Sequence, residues 1–198
     1  HLRSLNPPNY KDNKLIVTTF LDKTDVICQT PCAINDNFIM SSWDLSNVKS
    51  MYFTFWNLNG FDQDISEWDV SNVEDMEGLF FYSYNLNVDL SSWNVSKVKN
   101  MKRMFRGAYY ANPDVSLWNV SNVENMQEMF YETDLNQDLK QWDVKKVKNM
   151  EKMFYSAKYF NQDLSNWNVD NVDSCDSFNE KAESWQLPRP NFLNCDPD

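Results

Sequence analysis

Six tryptophans stand at near-equal intervals along the chain: Trp43, Trp68, Trp93, Trp118, Trp142 and Trp167, spaced 25, 25, 25, 24 and 25 residues apart. A period in this range means stacked copies of one unit, not a globular mosaic. Other residues keep step with the tryptophans. Five positions after each stands a valine, from Val48 to Val172. Eight positions after stand Met51, Met76, Met101, Met126 and Met150, then Cys175. Twelve after the first five stand Phe55, Phe80, Phe105, Phe130 and Phe154. One such unit cannot bury its apolar face alone, whereas a stack of them shares a continuous core.

The local pattern suggests how each unit is built. The x-Trp-x-Val-x stretch alternates as a short strand does. With the aliphatic residue three positions before it, it matches the leucine-rich-repeat template with Trp in the second apolar slot. Val, Met, a third apolar residue and Phe then follow at spacings of 3, 3 and 1, which is the spacing of a short helix or 3₁₀ segment. Ser46, Ser71, Ser96 and Ser121 precede this run, and Glu74 and Glu124 complete a capping-box pattern with Ser71 and Ser121. The expected fold class is therefore α/β: a right-handed leucine-rich-repeat-like solenoid of about six repeats, with short parallel strands plus short helices. The repeats occupy residues 41–175. Residues 1–40 and 176–198 break the pattern and read as N- and C-terminal caps, the first with a strand over Leu15–Phe20.

Composition narrows the function. The formal net charge is −11, which argues against nucleic acid and against anionic lipid, both of which need clustered Lys and Arg. No run of apolar residues is long enough to span a membrane. The only histidine is His1, so neither a Ser-His nor a Cys-His pair is available for nucleophilic catalysis. With three glycines, no phosphate-cradling loop occurs. Carboxylates abound, but they recur evenly with the repeat, whereas an active site is singular. No enzyme activity and no cofactor is expected.

Four cysteines fall at the ends of the chain: Cys28, Cys32, Cys175 and Cys195. Pairing within each end, Cys28 with Cys32 and Cys175 with Cys195, would staple the two caps and imply an oxidising compartment. Four buried free thiols are the alternative. Zinc is disfavoured because there is no internal histidine to share the ligand set.

Two families of outward positions are candidates for a site. The residue before each tryptophan forms the column Ser42, Glu67, Ser92, Leu117, Gln141, Asn166, whose variability suits a ligand-reading surface. The next outward column, Asp44, Asp69, Asn94, Asn119, Asp143, Asn168, is uniform and suggests a hydrogen-bonding ladder. A third series, Asp64, Asp89, Asp114, Asp138 and Asp163, stacks carboxylates. Either each accepts backbone N–H bonds in its own turn, or calcium lies between turns. Asn94-Val-Ser96 and Asn119-Val-Ser121 match the glycosylation sequon as by-products of the repeat.

The segments Trp68-Asp-Val-Ser-Asn-Val-Glu-Asp-Met76, Trp118-Asn-Val-Ser-Asn-Val-Glu-Asn-Met126 and Phe160-Asn-Gln-Asp-Leu164 resemble BspA-type leucine-rich-repeat surface proteins. They are closer to the branch found in mycoplasma lipoproteins and other bacterial surface proteins. The resemblance covers residues 40–180 and implies a secreted or cell-surface location and adhesion to host or matrix. It carries no catalytic residues. The expected function is an extracellular adhesion or ligand-binding module that recognises a host or matrix protein or glycan through its parallel sheet face. The alternative is a structural spacer within a larger surface protein.

Overall fold

The structure, a computed structural model, describes residues 10–11, 14–16, 43–58, 60–61 and 63–198. Strand β1 (Tyr10–Lys11) pairs antiparallel with β2 (Lys14–Ile16), which pairs parallel with β3 (Trp43–Asp44). The order in this small sheet is β1-β2-β3. Of the segment Leu15–Phe20 read as a strand, Leu15 and Ile16 are in β2, and the rest lies outside the described residues.

The α/β expectation fails. Among the described residues there is no helix, and strand is confined to those three short pieces. The chain is not a leucine-rich-repeat solenoid of alternating strands and helices. Each repeat is a succession of turns instead. Over residues 51–57 the backbone donors alternate in direction. The N–H groups of Met51, Phe53, Phe55 and Asn57 donate to the carbonyls of Asp75, Glu77, Leu79 and Phe81 in the next repeat, at 2.7–2.9 Å. Between them, Thr54 N–H closes a turn onto Met51 O at 3.3 Å. The next repeat does the same, Met76, Gly78, Phe80 and Tyr82 donating to Asn100, Lys102, Met104 and Arg106.

A helix is impossible there because two backbone positions per repeat are left-handed. One column runs Phe53, Gly78, Arg103, Glu128, Lys152, Ser177, and the other Asn57, Tyr82, Gly107, Glu132, Ser156, Lys181, all with φ between 48° and 66°. Left-handed residues cannot propagate a right-handed helix. The apolar spacing of 3, 3 and 1 fits successive i to i+3 turns as well as it fits a helical face, which is why it misled. The serines read as helix caps sit inside turns: Ser71 N–H donates to Asp69 Oδ1 at 3.0 Å.

Where a strand ladder was expected, the contact between repeats narrows to single residues. Ser50, Asp75, Asn100, Asn125, Asn149 and Ser174 form a run of isolated parallel bridges, one per repeat.

The core is columnar. The Trp, Val, Met and Phe columns are all buried, with Met51, Met76, Met101, Met126 and Met150 fully inaccessible. Phe55, Phe80, Phe105, Phe130 and Phe154 stack with centroids 5.5–5.8 Å apart. Trp43–Trp68, Trp68–Trp93 and Trp142–Trp167 stack at 5.7, 6.3 and 6.2 Å. Offset and edge-on aromatic pairs add stabilisation beyond the area they bury, about 0.5–1.5 kcal/mol each. The Phe column ends at an orthogonal layer, where Phe178 and Trp185 meet Phe154 at 81° and 77°. Phe192 lies against Phe178, and the Cys175–Cys195 disulfide ties this segment to the last repeat. Cys28 and Cys32 lie outside the described residues.

Candidate binding surface

The outside of each repeat is organised by Asp and Asn side chains that cap turns two residues ahead. In the first series, Asp64, Asp89, Asp114, Asp138 and Asp163 accept from the N–H of Ser66, Ser91, Ser116, Lys140 and Ser165 at 2.9–3.1 Å. The Ser66 hydroxyl and then its backbone N–H hold Asp64 below the usual carboxylate range, and Ser91 and Ser165 do the same for Asp89 and Asp163. The ionised form is thus satisfied within each repeat, an Asx turn. Among the described residues no group of three or more His, Cys, Asp or Glu is placed to hold a metal ion.

The uniform column behaves alike. Asp44, Asp69, Asn94, Asn119, Asp143 and Asn168 accept from the N–H two residues on at 3.0–3.2 Å. A further set, unremarked in the sequence reading, sits at the bridge column: Asp75, Asn100, Asn125 and Asn149 accept from Glu77, Lys102, Gln127 and Glu151 at 2.9–3.1 Å. The recurrence of Asp or Asn two residues before a polar residue is the signal that could have revealed it. Ladders also join the repeats. Asn112 Oδ1 accepts from Asn136 N–H, and Asn136 Oδ1 from Asn161 N–H. Each of these columns is occupied with holding the backbone.

The column before the tryptophans is different. Ser42 lies outside the described residues. Glu67, Ser92, Leu117, Gln141 and Asn166 are all exposed, and Leu117 reaches 81%. Ser92 Oγ donates to Ser66 O and Asn166 Nδ2 to Lys140 O. These residues project from a turn corner and not from a sheet face, because no strand forms beneath them.

A second exposed feature carries alternating charge. Six positions after each tryptophan stand Lys49, Glu74, Lys99, Glu124, Lys148 and Asp173. Lys99 pairs with Glu74 at 2.7 Å and Lys148 with Glu124 at 3.1 Å. Two positions earlier, Lys97 Nζ donates to Asn72 Oδ1 at 2.7 Å and Lys146 Nζ to Asn122 Oδ1 at 2.6 Å. Together Glu74, Lys97, Lys99, Asn122, Glu124 and Lys146 line an open groove of about 380 Å³. Sequence reasoning passed over it because net charge was weighed for the whole chain and not column by column.

A third feature is an ion-pair knot beneath an aromatic ridge. Glu128 is buried and pairs with Arg103 at 2.7 Å and with Arg106. The Arg106 guanidinium lies 4.0 Å from the centroid of Tyr131, which stacks on Tyr155 at 4.7 Å. Tyr84 and Tyr109 stack at 5.3 Å with planes 3° apart, and Tyr109 donates to Glu132 at 2.6 Å. These rings spend their faces on one another.

A family model matches the chain twice, over residues 28–135 and 112–192, and its description is "Mycoplasma protein of unknown function, DUF285". The chain belongs to this family. That the two DUF285 matches overlap over 112–135 is what a repeated sequence allows. No curated protein and no solved structure matches the chain. Among the described residues of this DUF285 protein, no helix is long and apolar enough to cross a membrane.

Proposed function

We propose that the chain is an extracellular ligand-binding module of a secreted or cell-surface protein, with no catalytic activity. It engages a host or matrix protein or glycan through Glu67, Ser92, Leu117, Gln141 and Asn166. The observation that carries this reading is Leu117, an apolar side chain 81% exposed at the middle of that row. The neighbouring Asp and Asn columns are committed to turns, whereas this row varies from repeat to repeat, and among the described residues only Ser92 and Asn166 in it donate to a backbone carbonyl. The Cys175–Cys195 disulfide supports an extracellular setting. Likeness to BspA-type surface proteins fits the same reading.

The competing reading is a spacer with no ligand, favoured by how much of the surface is spent on internal hydrogen bonds. Binding of labelled protein to immobilised matrix proteins and glycans separates the two. Saturable capture lost in the Glu67→Arg/Gln141→Arg variant, with an unchanged melting temperature, supports the row. Capture that survives both substitutions removes the row from the site. Absence of capture by folded protein leaves the spacer.

A further inference from the structure

The groove at the alternating charge column has a chemistry of its own, and it lies at different columns from the row before the tryptophans. Its three lysines are not equivalent. Lys99 is matched by Glu74. Lys97 and Lys146 are exposed and donate only to the neutral amide oxygens of Asn72 and Asn122, with no carboxylate among the described residues within ion-pair distance. They stand two repeats apart in the same column, with Asn122 between them, a separation of about 10 Å at the spacing of stacked backbones. In a chain of net charge −11, these are two ammoniums on one groove without a direct ion pair, although Lys97 still acts at longer range on Glu74 and Asp69.

The same groove carries Glu74 and Glu124. A densely charged strand such as a nucleic acid would place phosphates against those carboxylates, and the overall negative charge would add to the repulsion. A sparsely charged, hydroxyl-rich chain avoids both penalties. Its anionic groups sit on the ammoniums, and its hydroxyls donate to Glu124 between them and to Glu74 one repeat before Lys97. We propose that this groove binds an acidic polysaccharide bearing one anionic group on alternate sugars, with carboxylates on Lys97 and Lys146 and hydroxyls on Glu74, Glu124 and Asn122.

The test uses hyaluronan oligosaccharides as the probe, with heparin, single-stranded polynucleotide and neutral dextran beside them. Calorimetric titration of the full chain is expected to show saturable hyaluronan binding that weakens with added salt. Lys97→Gln/Lys146→Gln keeps an amide donor toward Asn72 and Asn122, so the fold is retained. It lowers affinity about tenfold, the loss of two exposed charge contacts. Glu67→Arg/Gln141→Arg leaves hyaluronan binding intact or tightens it, which separates this groove from the row proposed above. Hyaluronan binding that is absent in folded protein, or indifferent to the lysine substitutions, overturns the proposal. So does tighter binding of heparin or polynucleotide than of hyaluronan, since a dense polyanion would then be the ligand class.

Discussion

The indole N–H of Trp118 donates to the backbone carbonyl of Leu90, 28 residues earlier, at 2.9 Å. The same bond recurs from Trp93 to Ile65, Trp142 to Val115 and Trp167 to Leu139, at 3.0 Å in each case. Tryptophan therefore does two things at its position: its ring fills the core and its one donor reaches back to a carbonyl of the preceding repeat, adding a second hydrogen bond to the one that carbonyl accepts within its own turn. Phenylalanine supplies only the first. Trp118→Phe removes one of the two donors to Leu90 O, the Trp93 N–H at 3.1 Å remaining, and is expected to cost about 0.5–1.5 kcal/mol, read as a shift of the urea midpoint at unchanged slope. A loss within error of zero would mean that water replaces the indole there.

This bond also shows what could and could not be read from sequence. The Trp, Val, Met and Phe columns were legible as a buried interior, because a strict period places identical residues over one another. The conformation between them was not. Apolar residues at i and i+3 suit both a helical turn and a chain of β-turns, and the left-handed residues that decide between them are Arg103, Glu128, Lys152 and Ser156, types with no left-handed signature. Only Asn57, Gly78 and Gly107 mark those columns, too few to read a rule from. The Asp series at Asp64 could be read as turn caps. The groove that holds Lys97 and Lys146 could not, because it exists only when repeats two to five are set side by side.

Glycine appears in the left-handed columns where a large ring from the preceding repeat lies over it. A Cβ on Gly78 would stand 2.6 Å from the Phe53 ring, and one on Gly107 would meet the Tyr82 ring. Gly78→Ala combines left-handed strain with overpacking and is expected to cost about 2 kcal/mol or more. Ser156, in the same column as Gly107 and at φ 54°, has the opposite outlook. Ser156→Gly relieves the strained backbone while adding unfolded-state entropy, so it should change stability by less than about 0.5 kcal/mol. Thermal melts of the two variants give the comparison; equal losses would contradict the left-handed assignment.

Acid should act through Glu128. Burial pushes its carboxyl up, but hydrogen bonds from Arg103 and Arg106 outweigh burial and hold it below the ordinary glutamate value of 4.5. A depressed folded pKa means that the ion pairs add stability above the unfolded value and lose it as pH falls through the folded one. The wild type is therefore expected to lose stability below pH 4.5, the ordinary glutamate value. Glu128→Gln should be less stable at neutral pH by about 1–3 kcal/mol and should show a shallower acid limb. Denaturant midpoints measured from pH 7 to pH 3 check this. Parallel curves for the two proteins would show that other carboxylates govern the acid response.

The last prediction concerns the end of the stack. Cys175 takes the place of methionine in its column and is fully buried, and its bond to Cys195 closes a separation of 20 residues. That segment holds Trp185 and Phe192 across the final ring layer, and Phe178 N–H donates to Pro197 O at 3.2 Å. Without it, Phe154, Phe160 and Phe178 would face water. A cross-link over a loop of this length contributes about 3 kcal/mol by restricting the unfolded chain. Reduction with dithiothreitol should therefore lower the melting temperature and expose the C-terminal segment to protease before the repeats unfold. The Cys175→Ala/Cys195→Ala variant should match the reduced protein and no longer respond to reductant. If the melting temperature is the same with and without dithiothreitol, the aromatic layer holds the end by packing alone and the disulfide adds nothing to it.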